Sequence, residues 1–579
     1  MADSNPQSSG LRSHLVEYGD QEFAAFLRRS FVHSMGLVEG NLEKPVIGIV
    51  NTFSELNHCH LGLKDLAAAV KRGVSSAGGL PLEFPVISLG EQFLNPSAMM
   101  FRNLMSMDVE TMLKAQPIDG VVLLGGCDKT LPALLMGAAS ANIPSIVVAA
   151  GPMLASSHEG ERIGACTDCR RFWAAFRRGE MDEAEIHAVE KRLAPTHGTC
   201  GVMGTASTMA CVTEALGMML PGTAAIPAVY SDRLRAAEES GIQILKLVKE
   251  QLTPSIIMTE AAIENACRVL LAIGGSTNAV IHLTAIAGRL GIRLDLDRID
   301  FLGKDTPVLV AVKPSGPHFM EDFHRAGGVP VVMNELRSKL SLDAITVTGK
   351  NLKFVLSEVI FPEWQEVIYQ LGAPYQENGS LVVLRGNLAP RGALLKRSAA
   401  SSSLLHCRGR AVVFESLEDL AARIDSPDLD VNFNDILVLK NAGLLGAPGM
   451  PEAGNLPIPK KLTPVKDMVR ISDARMSGTG FGTIVLHISP EAAIGGTLSL
   501  VENGDMIELD VDSRRLHLDV SETILSERRE RTASRKLSLP KRGYERLFFE
   551  HVQQADLGAD FDFLRHPDLA AGDIVELKE

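Results

Sequence analysis

GVVLLGGCDKTLPALLMGAASANIPSIVVAAG, residues 120–151, decides how the first part of the chain is read. Val121–Leu124 is a purely apolar run of buried-strand length that stops at Gly125 and Gly126. LPALLMGAASANIP then reads as a helix, and SIVVAAG as a second strand, so the stretch is a β-α-β unit. Between the first strand and the helix stand Cys127, Asp128 and Lys129, a thiol, an acid and an amine in a row. Ligands of parallel α/β sheets gather at the carboxyl ends of strands, which makes these three candidate functional residues. Taken alone they also fit a plainer reading: Cys127 a small buried hydrophobe, Asp128 a helix cap and Lys129 solvated.

Outward from this unit the same alternation continues over the first two thirds of the chain. LKDLAAAVKRGVSSAGG puts Leu66, Val70 and Val74 on one helical face and stops at Gly78 and Gly79, and PLEFPVISLG reads as the strand after it. A parallel sheet with crossover helices is expected. From about Leu381 the character changes. LVVLRGNLA, RAVVFES, DILVLK and TIVLHIS are short apolar runs, and MIELDVDSRRLHLDV alternates with period two after Asn503 and Gly504, which suit a hairpin turn. The expected organisation is an α/β domain over 1–378 and a β-rich, barrel-like domain over 379–579.

A length of 579 residues exceeds what one core usually supports, so at least two domains are expected. Hydrophobic residues at 46% and charged residues at 22% describe an ordinary globular protein. The net charge of -13 and the lack of a clustered basic surface argue against nucleic acid as a partner. No apolar run approaches the roughly 20 residues that cross a bilayer, and the polar N-terminus does not resemble a secretory signal, so a cytoplasmic protein is expected.

Eight cysteines are spread thinly along the chain, which points to reduced thiols or metal ligands rather than a disulfide framework. Cys59 in NTFSELNHCH and Cys200 in THGTCGVMGTASTMA join Cys127 at strand ends or in a glycine-rich turn before a helix. Three such thiols suggest one thiolate site with a vacant fourth position, suited to zinc or an iron–sulfur cluster. Cys166 and Cys169, a single C-x-x-C, read as incidental, Cys211 and Cys267 as core, and Cys407 as structural. GTGFGT (478–483) lacks the strand-to-helix context of a nucleotide loop, and LDLDRID (294–300) lacks the glycine and final acid of a calcium loop.

CDKT with its following proline and LMGAAS, together with GTCGVMGTASTM, GGSTNAVIHL, GNLAPRGA, PGMPEAGN and ISDARMSGTGFGT, resemble the dihydroxy-acid and sugar-acid dehydratase family, in the family's order from about residue 45 to 530. The resemblance implies a homodimeric or homotetrameric hydro-lyase that removes water from a 2,3-dihydroxy carboxylate to give a 2-keto-3-deoxy acid. It implies an iron–sulfur cluster held by Cys59, Cys127 and Cys200, two-iron favoured over four-iron, whose open iron takes the substrate's 3-hydroxyl. It further implies a magnesium ion held by Glu91 of SLGEQF, Asp128, Lys129 as a carbamate, and Glu452. Ser477 would be the base, ionised as an alkoxide, with Thr479 and, from GGSTNAVIHL, Thr277 and Asn278 near the substrate; the last two are also placed to cap the helix that follows.

Two features bear on the branch. His60 follows the first cysteine, where relatives more often carry glycine and asparagine. Ala474 in ISDARMSG resembles the sugar-acid branch rather than the branched-chain amino-acid branch, which favours an aldonate such as a pentonate or hexonate. Competing readings are a branched-chain dihydroxy-acid dehydratase, a non-catalytic small-acid-binding protein, and a thiolate-zinc hydrolase.

Overall fold

A computed structural model describes residues 10–12, 19–452, 456–463, 465–532 and 538–570. Strands β1 (Val46–Asn51), β2 (Leu80–Pro85), β3 (Gly120–Gly125) and β4 (Ser145–Ala149) form a wholly parallel sheet in the order β2-β1-β3-β4. Every residue of β1, β3 and β4 is buried, as a parallel sheet covered on both faces requires.

The crossovers are α1 (Leu63–Ser76), α2 (Ala98–Ala115) and α3 (Thr130–Ala141). In α1 the face of Leu66, Val70 and Val74 is buried, and the chain leaves the helix at Gly78 with φ +91°, a value that glycine adopts without strain. Thr130–Ala139 of α3 is buried throughout, because the helix is apolar on all sides and packs against both α2 and the sheet. Each large side chain there, Leu134 for one, contributes roughly 1.5–3 kcal/mol by leaving water.

The strand–helix alternation expected over two thirds of the chain holds only as far as β4. Beyond it come the helices α4 (Thr205–Ala215), α5 (Ser231–Glu250), α6 (Glu260–Ala272) and α7 (Asn278–Arg289). Of these, α5 packs on α1, β3 and β4. Strands buried on both faces need such covering, so apart from a short antiparallel pair, Ser156–His158 with Glu161–Ile163, this part of the chain supplies layers rather than strands.

Eight further strands close a barrel: β5 (Leu381–Gly386), β6 (Ala389–Lys396), β7 (His406–Phe414), β8 (Ile436–Leu439), β9 (Arg470–Ser472), β10 (Ile484–Ser489), β11 (Met506–Asp510) and β12 (Arg515–Leu518). Their order around it is β8-β9-β10-β6-β5-β12-β11-β7, with β7 and β8 paired. Ile507, Leu509, Leu516 and Leu518 point into its core, as the period-two pattern predicts. The expected α/β sheet and the barrel-like second part are thus both present.

The Asn503–Gly504 turn is not a hairpin. It leads into β11 and docks on β7, where Gly504 N–H donates to Ala411 O and Asn503 Oδ1 accepts from Val413 N–H. The β11–β12 hairpin instead closes across residues 511–514, with Arg514 at φ +56°. Among the described residues no helix is long and apolar enough to cross a membrane.

Candidate active site

Cys59 sits in a single helical turn after β1, where the Asn57 side chain accepts its N–H at 3.2 Å. Cys127 follows β3 by two residues. A side chain at Gly126 would meet Ala150 Cβ at 2.5 Å, so glycine is what lets the Cys127 turn pack against the end of β4, with Cys59 O in ordinary contact with the same place at 3.5 Å. Cys200 precedes α4 in the turn around Gly201 and Gly204.

The three thiols interact. Cys59 is pushed well above the ordinary thiol range by Cys127, by burial and by Cys200. Cys200 is pushed up likewise, by Cys166 first, then by burial and by Cys127. Thiolates this close can all ionise only if positive charge lies among them, so the donor set fits a cluster of cationic iron.

Cys166 belongs to this group, which corrects the reading of C-T-D-C as incidental. Its Sγ lies 2.7 Å from Cys200 Sγ. Thr167 Oγ1 donates to Thr479 O at 3.2 Å, and Arg170 reaches Glu452 at 3.5 Å. A lone C-x-x-C carries no signal for this, because its partners lie at distant points of the sequence. Cys211 and Cys267 are fully buried on α4 and α6, and Cys407 is half-buried on β7.

His60 is a fully buried support for the Cys127 turn. Its Nε2 accepts the N–H of Gly126 at 3.1 Å and of Cys127 at 3.0 Å, and Nδ1 stands 2.8 Å from Thr52 O and 2.9 Å from Ser88 Oγ. Two backbone donors at Nε2 require the proton on Nδ1 and a neutral ring. Burial pushes its pKa down to about 4 in accord with that state.

Glu91, in the loop after β2, joins Asp128, Lys129 and Glu452 in a second cluster. Lys129 is fully buried, not solvated; its Nζ pairs with Asp128 and stands 3.7 Å from Glu91 Oε2. The residue missed from the sequence is Arg475, also fully buried, which pairs with Glu91 and, at 3.0 Å, with Glu452. A backbone bridge between Glu452 and Arg475 holds the two segments side by side. Burial would raise Glu91, yet Arg475 and Lys129 outweigh it and hold the carboxyl down to about 2. Glu452 is shifted upward, by burial first and then by Glu91, with Arg475 opposing.

As these side chains stand, no three His, Cys, Asp or Glu donors among the described residues converge to hold a single ion. Lys129 and Arg475 take the cationic places between the carboxylates. The donor set nevertheless fits magnesium: three carboxylates are hard oxygen ligands, and Glu91 Oε2 is buried with no hydrogen-bond partner. With Lys129 converted to an anionic carbamate, the surplus negative charge would demand a divalent cation.

Ser477 follows β9 in a tight turn. Thr479 Oγ1, fully buried, donates to Ser477 Oγ at 2.9 Å. Gly478 packs so closely on Ser276 that a Cβ would meet Ser276 Cβ at 2.6 Å, and its N–H donates to Thr205 Oγ1 at 3.4 Å. The serine turn therefore lies against the start of α4, directly after Cys200. Thr277 and Asn278 are buried at the start of α7, but neither side chain caps it; Ser276 Oγ accepts the Asn278 N–H at 3.2 Å. Asn278 donates through Nδ2 to Thr205 Oγ1 at 3.3 Å, and its Oδ1 is buried without a partner.

A parallel α/β sheet is joined to a closed barrel, with clustered thiols, clustered carboxylates and a serine turn brought together as a candidate active site. The chain belongs to the dihydroxy-acid/6-phosphogluconate dehydratase family: residues 44–357 match the family's N-terminal domain and 366–559 its C-terminal domain. It is 50% identical over 554 residues to an L-arabinonate dehydratase of Rhizobium leguminosarum bv. trifolii, covering 95% of each chain. An L-arabonate dehydratase of Azospirillum brasilense is 51% identical over 94% of this chain and 96% of its own. A dihydroxy-acid dehydratase of Halothermothrix orenii is 38% identical, over 93% and 98%. The resemblance read from the motifs, and its sugar-acid branch, are borne out.

Proposed function

We propose that this enzyme dehydrates an aldonate, a 2,3-dihydroxy sugar acid, to a 2-keto-3-deoxy acid. The reading is carried by one observation: the thiol cluster, the buried carboxylates and the Ser477 turn meet beyond the carboxyl ends of β1 and β3. Cys59, Cys127 and Cys200 would hold a two-iron cluster, and Glu91, Asp128, carbamylated Lys129 and Glu452 a magnesium ion. When bound, these groups supply a Lewis acid for a poor leaving group and a hard cation for the carboxylate end of the substrate.

The protein's own residues do the rest. Ser477 Oγ takes the C2 proton, and Thr479, donating to that oxygen, stabilises its ionised form. Loss of the 3-hydroxyl leaves an enol that tautomerises to the ketone. Asn278 Oδ1, without a protein partner, is available to a substrate hydroxyl beside Thr277. In this reading residues 1–378 carry the thiols and most of the magnesium ligands, and 379–579 bring Glu452 and Ser477. The assembly is a homodimer or homotetramer in the cytoplasm, where the eight free thiols stay reduced.

An aldonate is favoured over a branched-chain dihydroxy acid by Ala474 and by higher identity to the arabinonate enzymes than to the dihydroxy-acid enzyme. The test is anaerobically prepared protein, with iron and sulfide counted, assayed for keto acid from a panel of aldonates and from 2,3-dihydroxyisovalerate. Keto acid from aldonates is expected, falling about 10²- to 10⁴-fold in Ser477→Ala. Product from dihydroxyisovalerate alone selects the branched-chain reading. No product from a cluster-loaded sample selects a binding protein.

A further inference from the structure

Lys396 ends β6 and is buried beneath the serine turn. Its Nζ donates to Gly478 O at 3.1 Å, and among the described residues it has no acidic partner. Burial pushes its pKa down to about 7, with no charged neighbour acting on it. A lone buried ammonium is unfavourable, and barrel packing gives no reason for one, since Ala393, Leu394 and Leu395 before it are apolar and buried.

The same turn is held at other points by neutral groups and, farther from Ser477, by Arg470, whose Nη2 donates to Phe481 O at 3.4 Å. Thr205 Oγ1 accepts the Gly478 N–H, Thr167 Oγ1 donates to Thr479 O, and Ala399 O accepts the Gly482 N–H at 2.8 Å. Lys396 is the one among these contacts that brings a positive charge to the peptide that follows Ser477.

We propose that Lys396 is a positioning residue for Ser477: it holds the Gly478 carbonyl so that the turn presents the serine hydroxyl, and it sets beside that hydroxyl the positive charge an ionised serine needs. This rests on Ser477 being the base of the dehydratase reading. Lys396 makes no hydrogen bond to Ser477 Oγ itself and acts through the Gly478 peptide.

The test compares full-length wild type, Lys396→Met and Lys396→Arg. Methionine keeps the length and apolar stem but removes donor and charge, and arginine restores both. Lys396→Met is expected to lower kcat at least tenfold with KM within about twofold, while its melting temperature stays at or above that of wild type because an unpaired buried charge is gone. Lys396→Arg is expected to recover most of the kcat. In the substrate-free chain, amide exchange across residues 476–482 should rise in the methionine variant and stay unchanged in β1 and β3.

A kcat within twofold of wild type overturns the proposal. So does a melting temperature that falls in step with activity, because that is the mark of a packing role. If wild type itself forms no keto acid, the dehydratase reading fails, and the exchange measurement decides Lys396 alone: unchanged protection of 476–482 rejects it.

Discussion

The ring Nε2 of His60 accepts the backbone N–H of Cys127 at 3.0 Å. The thiol from the β3 end is thus oriented by a residue adjacent to the thiol from the β1 end. His60→Leu would leave the N–H groups of Gly126 and Cys127 buried and unpaired, at about 1–3 kcal/mol each. Denaturant unfolding of the cluster-free chain should show that loss. Iron and sulfide counts on anaerobic preparations should fall with it, and an unchanged stability would reject the role.

Arg475 bridges Glu91 and Glu452 with its charge fully buried. Arg475→Met removes the cation the two carboxylates share and leaves Glu91 with Lys129 at 3.7 Å and Glu452 with Arg170 at 3.5 Å, so a loss of about 1.5–3 kcal/mol is expected in chelator. Millimolar magnesium should restore part of it, since a divalent cation can replace the lost charge. Equal stability with and without magnesium would count against a cation site among these carboxylates.

The Thr479 hydroxyl donates to Ser477 Oγ at 2.9 Å. A hydrogen bond to a charged acceptor is worth about 1.5–3 kcal/mol, so Thr479→Val should lower kcat by roughly 10- to 150-fold. Thr479→Ser should keep most of it. Turnover measured on the same cluster-loaded batch distinguishes the two.

His487 is fully buried with both ring nitrogens unpartnered, and burial, with Arg475 adding to it, pushes its pKa down to about 3. Its folded value lies below the unfolded value near 6.5, so the unfolded chain binds the proton more readily. The neutral ring's contribution is therefore fully present above pH 6.5 and is lost as pH falls toward 3. Between pH 7.5 and 5, wild type should lose about 2 kcal/mol more than His487→Leu, read from unfolding curves at the two values.

The sequence by itself determined the class of fold and the reactive stretches. The run Val121–Leu124 is too apolar to face water and too short to be anything but a buried strand, and the alternation after Met506 has one face to bury. Local pattern carries such information because burial and backbone period act over a few neighbouring residues. It also carried Cys59, Cys127, Cys200, Glu91, Asp128, Lys129, Glu452 and Ser477, through motifs that resemble a family.

Only the tertiary structure decided which side chains share a site. Arg475 reads in the sequence as one arginine among many, yet it sits between carboxylates 384 and 23 positions away. Cys166 meets Cys200, and Lys396 meets Gly478 across 82 positions. Charge pairing and hydrogen bonding depend on distance in space, and the barrel's closure against the parallel sheet sets those distances. No local period records how that closure folds β6, the Arg475 segment and the Cys166 loop onto one another.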